Sequence, residues 1–309
     1  MSESDEPRTE STPALAAEGP PPPAAEVARR RSASRWLIIG GIALVFLLII
    51  GYVLGGAAAA GGPIGRADSA LHTAVGHNNE TADSFKGDPF SGIDLKSDTP
   101  DIPGAKTAVA NEKQKLSKWQ ALISSDRTAL QEARPDLKGS LLTLPEQGTL
   151  DRHRQRVDAA LSALTSAQKA VDLYSKELAF LDPFLDAVGG FVAIGKAGTA
   201  QDIAGIKAQL PGTGASIQKA IDLSQPPAIP AELGPTLKAI QQVLSDIQAL
   251  VTAVEANDAA AIQKYATAVE AEGTSLSSYD GTSLQAAIKA LYQPLSDAYD
   301  RDMKIAAGN

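Results

Sequence analysis

An uninterrupted run of apolar residues near the amino end constrains this chain more than any other feature. It extends from Trp36 to about Gly55 and contains no charged residue. About 20 residues at 1.5 Å per residue cross a hydrocarbon core that is about 30 Å thick. Trp36 and Tyr52 stand near the two ends of the run, where interfacial aromatic side chains are common. The run therefore predicts one transmembrane helix within residues 35–56, with the lipid bilayer as a partner.

The charges on either side of this segment predict its orientation. Four arginines precede it: Arg29, Arg30, Arg31 and Arg35. After it, the only basic residue before Lys86 is Arg66. Because basic residues flank membrane spans on the cytoplasmic side, we expect the amino end in the cytoplasm and residues 57–309 outside the cell. Arg35 and Trp36 would then lie at the inner membrane interface, and Tyr52 at the outer one.

A cleavable signal peptide is the alternative interpretation of this segment. The small residues Ala57–Ala60 resemble a cleavage site. However, the apolar part of a signal peptide usually has about 7–15 residues and a short segment before it. The run in this chain is longer and follows a long amino-terminal segment, so we expect an uncleaved anchor.

Two glycines near the outer end of the predicted span have a spacing known from transmembrane dimers. Gly51 and Gly55 are four residues apart, as in helices that pack closely through small residues. The alternative is that these glycines simply loosen the exit of the chain from the membrane. A homodimer is therefore compatible with the sequence but has no other support in it.

The segments that flank the predicted span lack apolar periodicity. Residues 1–34 include the run Gly19–Pro23 and many polar residues. Such a segment cannot bury enough apolar surface to offset its ordering entropy, so we predict a disordered cytoplasmic tail. Residues 57–63 contain alanine and glycine and are predicted to form a flexible linker.

Composition narrows the class of the outer region. The chain has no Cys, which in a long extracytoplasmic domain is typical of a prokaryotic envelope protein and excludes thiol chemistry. Aromatic residues make up 5% of the chain, which favours closely packed helices over a β-sandwich. The net charge is −8; residues 1–35 hold five Arg and six acids, so they carry −1 and the rest carries −7. An acidic outer domain argues against nucleic acid as a partner.

Apolar residues recur with helical spacing through residues 64–309. In the third predicted helix six of them are seven residues apart: Val157, Leu164, Val171, Leu178, Leu185 and Val192. A second seam of this kind lies between Pro235 and Glu255. Seams joined by short turns predict an all-α fold, an antiparallel helical bundle or a pair of coiled-coil hairpins. The prolines at 226, 227 and 230 would mark a sub-boundary near 224–232.

Glycine, proline and capping residues predict where these helices end. Pro183, after Asp182, predicts a kink or a break in the third helix. Short helices are expected at 199–209 and 213–223. Asn257 and Asp258 predict a turn and an N-cap.

One basic cluster outside the membrane is a candidate anion-binding site. Arg152, Arg154 and Arg156 lie in the first turns of the third helix, where the helix dipole is positive. They could bind the phosphate of an envelope polymer or of a lipid headgroup. The alternative is a solvated surface, because Asp151 and Asp158 partly neutralise the cluster.

No catalytic, cofactor or metal motif is recognisable in the sequence. His72 and His77 are five residues apart, which does not place them on one helix face as a metal-binding pair. Glycine-rich phosphate loops and nucleophile elbows are absent. We therefore predict that the protein is not an enzyme and requires neither a cofactor nor a metal.

These observations predict a membrane-anchored extracytoplasmic protein with a structural role or a role in binding a protein partner or polymer of the cell envelope. The alternative is a single-pass sensor or accessory subunit. The predicted cytoplasmic tail is too short for an output domain, so a sensor would act through a separate membrane partner.

Overall fold

The computed structural model describes Tyr52 and residues 57–78, 100–277 and 282–308. The chain divides into two compact units, Met1–Gly55 and Gly56–Asn309. In the first unit only Tyr52 is described, and it is helical and exposed. The predicted tail and almost all of the predicted span, including Arg35, Trp36, Gly51 and Gly55, lie outside the described residues.

The described part of the second unit consists of helices and short links without any strand, which confirms the predicted all-α class for these residues. Two short 3-10 helices, Pro135–Leu137 and Leu141–Glu146, connect α2 to α3. The seven α-helices are α1 (57–78), α2 (Ile102–Ala133), α3 (Gln147–Thr199), α4 (Ile203–Leu223), α5 (Leu233–Glu255), α6 (Ala259–Ser277) and α7 (Thr282–Ala307).

The first of two helical bundles contains α1, α2, the first part of α3 and the last part of α7. Arg127 at the end of α2 donates to Thr165, near the middle of α3, so these helices are antiparallel. Ser162 donates to Asp302 at 2.6 Å, which places the end of α7 beside the first part of α3. One continuous core runs through this bundle, and its largest fully buried side chains include Leu71, Leu130 and Leu178.

The second bundle contains the end of α3 together with α4 and α5, and α6 packs against α5. Lys207 of α4 binds Glu255 of α5 at 2.7 Å, and Gln241 of α5 donates to Gln218 of α4 at 3.1 Å. The two helices are therefore antiparallel. Because α3 belongs to both bundles, the boundary between their cores lies within α3; the segment 224–232 is the link between α4 and α5.

Of the kink or break predicted at Pro183, the break does not occur, because Pro183 lies inside α3, a single helix of 53 residues. A proline inside a helix removes one backbone hydrogen bond. Here Pro183 is buried among the packed helices, and the neighbouring Asp182 forms an ion pair with Lys113 of α2. Packing and ion pairing on this stretch of α3 offset the lost hydrogen bond.

Two other helices are also longer than predicted. Residues 57–63, assigned to a flexible linker, are helical and form the start of α1, where Ala60 is buried. The two short helices expected at 199–209 and 213–223 form one helix, α4, which continues through Pro211. In each case tertiary packing outweighs a residue type that disfavours helix.

The turn and both apolar seams were predicted correctly, except that Val192 at the end of the first seam is only half-buried. Asp258 caps α6, because its Oδ1 accepts from the backbone N–H groups of Ala260 and Ala261, both at 3.1 Å. The α3 residues from Val157 to Leu185 at seven-residue spacing are all buried. So are Leu237, Leu244 and Val251 of α5.

By length and composition, one helical stretch among the described residues could cross a membrane. It spans Leu141–Thr199 and has a mean hydropathy of 1.6 in its most apolar window. This is compatible with a membrane location. A core helix of a soluble domain meets the same criteria, and α3 packs against α2, α4 and α7.

The closest approach of α3 and α4 generates the first prediction. A Cβ atom at Gly190 would lie 2.1 Å from Thr213 Oγ1, whereas at Gly189 its nearest neighbour would be 3.5 Å away. Thr213 is buried and cannot move aside easily. We therefore expect Gly190→Ala to be less stable than Gly189→Ala by about 1–3 kcal/mol, the usual cost of overpacking.

This difference can be measured by urea unfolding of the unit Gly56–Asn309, followed by circular dichroism. Gly189→Ala is the matched control, because it makes the same change in helix propensity one residue away. Equal stability of the two variants would contradict the close packing of α3 against α4.

Candidate ligand-binding cleft

A cleft of about 610 Å³ lies between the four helices of the first bundle. Each helix contributes to its wall: α1 through Ala74, α2 through Trp119, α3 through Leu164 and α7 through Leu295. The cleft is partly open to solvent. Its volume falls within the range of about 300–1,000 Å³ typical of small-molecule sites.

The wall of the cleft is mainly apolar. Trp119, Ile123 and Val171 line it and are themselves at least nine-tenths buried. On α3 the side chains at Ala167 and Ala170 are small, so the helices meet without filling the space between them. An apolar wall with a few polar groups is the usual composition of a binding site for a small organic molecule.

One end of the cleft carries two polar pairs that join helices. His77 of α1 contacts both carboxylate oxygens of Asp126 of α2, at 2.8 and 3.0 Å. Tyr299 of α7 donates to Asn78 Oδ1 at 2.5 Å. Burial, and then the charges of Asp300 and Asp126, raise the pKa of Tyr299, so its phenol stays neutral. These pairs fix the end of α1 against α2 and α7.

The other end of the cleft holds a carboxyl group and a phenol whose buried oxygen atoms have no hydrogen-bond partner outside this pair. They are Oε1 of Glu177 on α3 and Oη of Tyr292 on α7. Burial raises the pKa of Glu177 to about 7. Burial, and then the nearby charge of Glu177, raise the pKa of Tyr292. The two groups are therefore close neighbours that interact with each other, and no third group bonds to the oxygen atoms named above.

Two other buried acids, Glu112 and Asp302, have hydrogen-bond partners, whereas Glu272, which does not line the cleft, also has a buried oxygen atom without one. Glu112 is contacted by Lys115 at 2.7 Å and by Tyr174 at 3.1 Å. Asp302 accepts from Ser162 and, at 2.9 Å, from Arg301. A buried polar atom without a partner costs about 1–3 kcal/mol. The open oxygen of Glu177 is thus an unfavourable feature that the polar group of a ligand would remove.

The predicted anion-binding arginines lie away from this cleft. Arg156 donates to the backbone oxygen of Ala306 at 2.9 Å and lies 3.4 Å from Asp68. Arg152 and Arg154 are exposed on the first turns of α3. Arg156 thus binds the end of α7, and anion binding by the three side chains stays a prediction.

No three His, Asp or Glu side chains of the described residues come together as a metal site would require. Of the predicted membrane-interface residues, only Tyr52 is described. His77, whose spacing from His72 argued against a metal-binding pair, contacts Asp126.

Sequence reasoning missed the cleft because no local motif marks it. Its polar members come from four segments that are far apart in the chain: His77 and Asn78, Asp126, Glu177, and Tyr292 with Tyr299. The available signal was Glu177, an acid directly before the seam residue Leu178. A carboxylate side chain directly beside a buried position must either point into the helical bundle or turn towards the solvent.

Comparison with known proteins does not identify a function for the cleft. No family model, no curated protein and no solved structure matches the chain. The residues of the cleft therefore carry the functional argument by themselves.

The raised pKa of Glu177 generates the second prediction. Its ordinary pKa is 4.5 and its pKa in the fold is about 7. Between these values the folded state holds more protons than the unfolded state, so the free energy of unfolding falls as the pH rises. Glu177→Gln removes this effect, and at pH 8 we expect it to be more stable than the wild type by roughly 1–3 kcal/mol.

Urea unfolding of Gly56–Asn309 at intervals between pH 4 and about pH 8 measures this difference. Glu132→Gln, at an exposed position of α2, is the control and should retain the wild-type pH dependence. A Glu177→Gln profile parallel to that of the wild type would show that Glu177 titrates normally in the fold.

Proposed function

We propose that this protein is a single-pass membrane protein whose helical region, outside the membrane, is a non-catalytic binding domain of the cell envelope. The uncharged run from Trp36 to Gly55 supports the anchor. The four arginines ahead of that run support a cytoplasmic amino end. The helical region then meets its ligand or partner close to the outer membrane surface.

The observation that carries the binding role is the cleft of the first bundle. A space of about 610 Å³ with a mainly apolar wall suits a small molecule with an apolar body. At its far end lie the buried oxygen atoms of Glu177 and Tyr292, which have no partner outside this pair. We infer that the ligand has a polar head that donates hydrogen bonds, such as an amine, and that this head faces Glu177.

Octylamine and octanoate are suitable probes for this function. An ammonium head can pair with the Glu177 carboxylate, whereas the carboxylate of octanoate would be repelled by it. We expect octylamine to bind at least tenfold more tightly, a difference of about 1.4 kcal/mol. Trp119 lines the cleft and is the only tryptophan of Gly56–Asn309, so its fluorescence reports binding to this unit.

A cavity-filling variant tests whether binding occurs in the cleft. Ala167→Leu places a larger apolar side chain in the space, so it should abolish octylamine binding while the thermal stability stays the same or rises. Ala121→Leu makes the same change at an exposed position of α2 and should bind as the wild type does. Unchanged binding by Ala167→Leu would refute the proposed site.

The shared helix α3 favours a sensor as a second candidate function. Glu177 lies on α3 near the point where this helix leaves the first core and enters the second. A ligand that alters the position of α3 would therefore change the contacts of α4 and α5. This would pass a binding event from one bundle to the other without an enzymatic step.

Hydrogen exchange with and without octylamine distinguishes a sensor from a simple binding protein. In a sensor, amide protons of α4 and α5 should exchange more slowly when the cleft is occupied. Ala167→Leu provides the control, since the probe should then have no effect. Protection confined to α1, α2, α7 and the first part of α3 would exclude this transmission.

A further inference from the structure

Large exposed apolar side chains are rare in the described part of the unit Gly56–Asn309, and they are concentrated at one end. Only four are exposed: Leu141 (80%), Leu142 (66%), Leu144 (55%) and Ile305 (45%). Three of them belong to the short 3-10 helix between α2 and α3. We call these three, Leu141, Leu142 and Leu144, the leucine tip. Exposed apolar groups that cluster in this way mark a surface that contacts something else.

The backbone of this turn holds the leucines outward. The Ser140 N–H donates to Thr143 Oγ1 at 2.7 Å, and the Thr143 N–H donates to the Ser140 carbonyl oxygen at 3.0 Å. Thr143 is consequently only 7% exposed, while the leucines around it face the solvent. A turn at a water-facing surface would have the opposite pattern, with the polar residue outside.

The leucine tip lies at the end of the first bundle where α1 begins. Arg66 of α1 forms an ion pair with Asp136, in the segment that leads to the tip, at 2.9 Å. The start of α1 reaches about 14 Å beyond Arg66, in the direction of the tip. Ala60, in this first part of α1, is buried in the same core as Leu137 and Leu150 on either side of the tip.

The remaining exposed apolar residue lies at this end too. Ile305 precedes Ala306, whose carbonyl oxygen accepts from Arg156. Arg156 also approaches Asp68 of α1 at 3.4 Å. The end of α7 and the first half of α1 are therefore close together, on the same side of the bundle as the tip.

Chain connectivity and charge indicate what covers this end. Residue 57, where the described part of α1 starts, follows Gly55 at the end of the predicted span by two positions. Three exposed basic side chains lie on the segments next to the tip: Lys138, Arg152 and Arg154, of which Arg154 is 3.7 Å from Asp151. Apolar side chains beside basic ones are the combination that binds the interface of a membrane with anionic lipids.

We propose that the leucine tip inserts into the outer interface of the same bilayer that holds the predicted span. The anchor and the tip then contact the membrane at two points, so the first bundle is fixed on the surface and cannot tumble about its tether. This inference rests on the proposed anchor. It is independent of the ligand-binding role of the cleft.

The full chain can be tested directly because it has no Cys. Leu142→Cys is labelled with a nitrobenzoxadiazole fluorophore and reconstituted into vesicles of phosphatidylcholine and phosphatidylglycerol. Insertion predicts a shift of its emission to shorter wavelength, quenching by nitroxide-bearing lipid, and protection from iodide in the aqueous phase. Ala200→Cys, at the exposed far end of α3, carries the control label and should show the opposite behaviour.

Flotation of the vesicles after alkaline carbonate extraction tests the membrane anchor separately from the insertion of the leucine tip. If the protein floats but both labels are quenched by iodide alone, the anchor stands and the proposed insertion is refuted. If the protein does not float, the anchor fails, and the proposed insertion fails with it. Protection of the Leu142→Cys label that increases with protein density, without quenching by nitroxide lipid, would assign the tip to contact with a second copy and would also refute membrane insertion.

Discussion

Burial of one face of α3 is the constraint on which the rest of the described structure depends. The helix has 53 residues and is about 80 Å long, more than a single bundle of this size can cover. Its first part is therefore packed by α1, α2 and α7, and its end by α4 and α5. The cleft lies on the first part, just before the residues at which the core partners change. The cleft and the burial of Glu177 both depend on this division.

The helices of the fold could be predicted from sequence because their apolar residues recur with a clear period. The seven-residue spacing from Val157 to Leu185 and the cap at Asp258 are local signals, and both were predicted correctly. The errors occurred where the local signal and the packing disagree. Pro183 and Pro211 disfavour helix by themselves, but each lies in a helix with partners on its sides. Residues 57–63 contain glycine and proline, so a linker was predicted where α1 begins. The alanines among these residues nevertheless allow them to pack closely as part of a helix.

The cleft could not be predicted in this way, because it results from what the bundle leaves unfilled. Ala167 and Ala170 are good helix formers, and nothing in their sequence shows that the facing helices fail to fill the space beside them. Glu177 was unremarkable among many scattered acids until α7 placed Tyr292 close to it. The arginine cluster was found by its local charge density, but sequence alone did not show that Arg156 binds the end of α7. Sequence patterns thus located the helices, whereas the pairing of distant helices determined the chemistry.

The contacts of Arg156 have a mechanical consequence. This side chain holds the carbonyl oxygen of Ala306 and approaches Asp68, so the start of α1 and the end of α7 lie at one end of the bundle. A pulling force between residue 57 and a partner attached to the last residues would act across this end, transverse to the helix axes. It would open the contacts of α1 and α7 one after another, as in a zipper. The second bundle would bear almost none of the load.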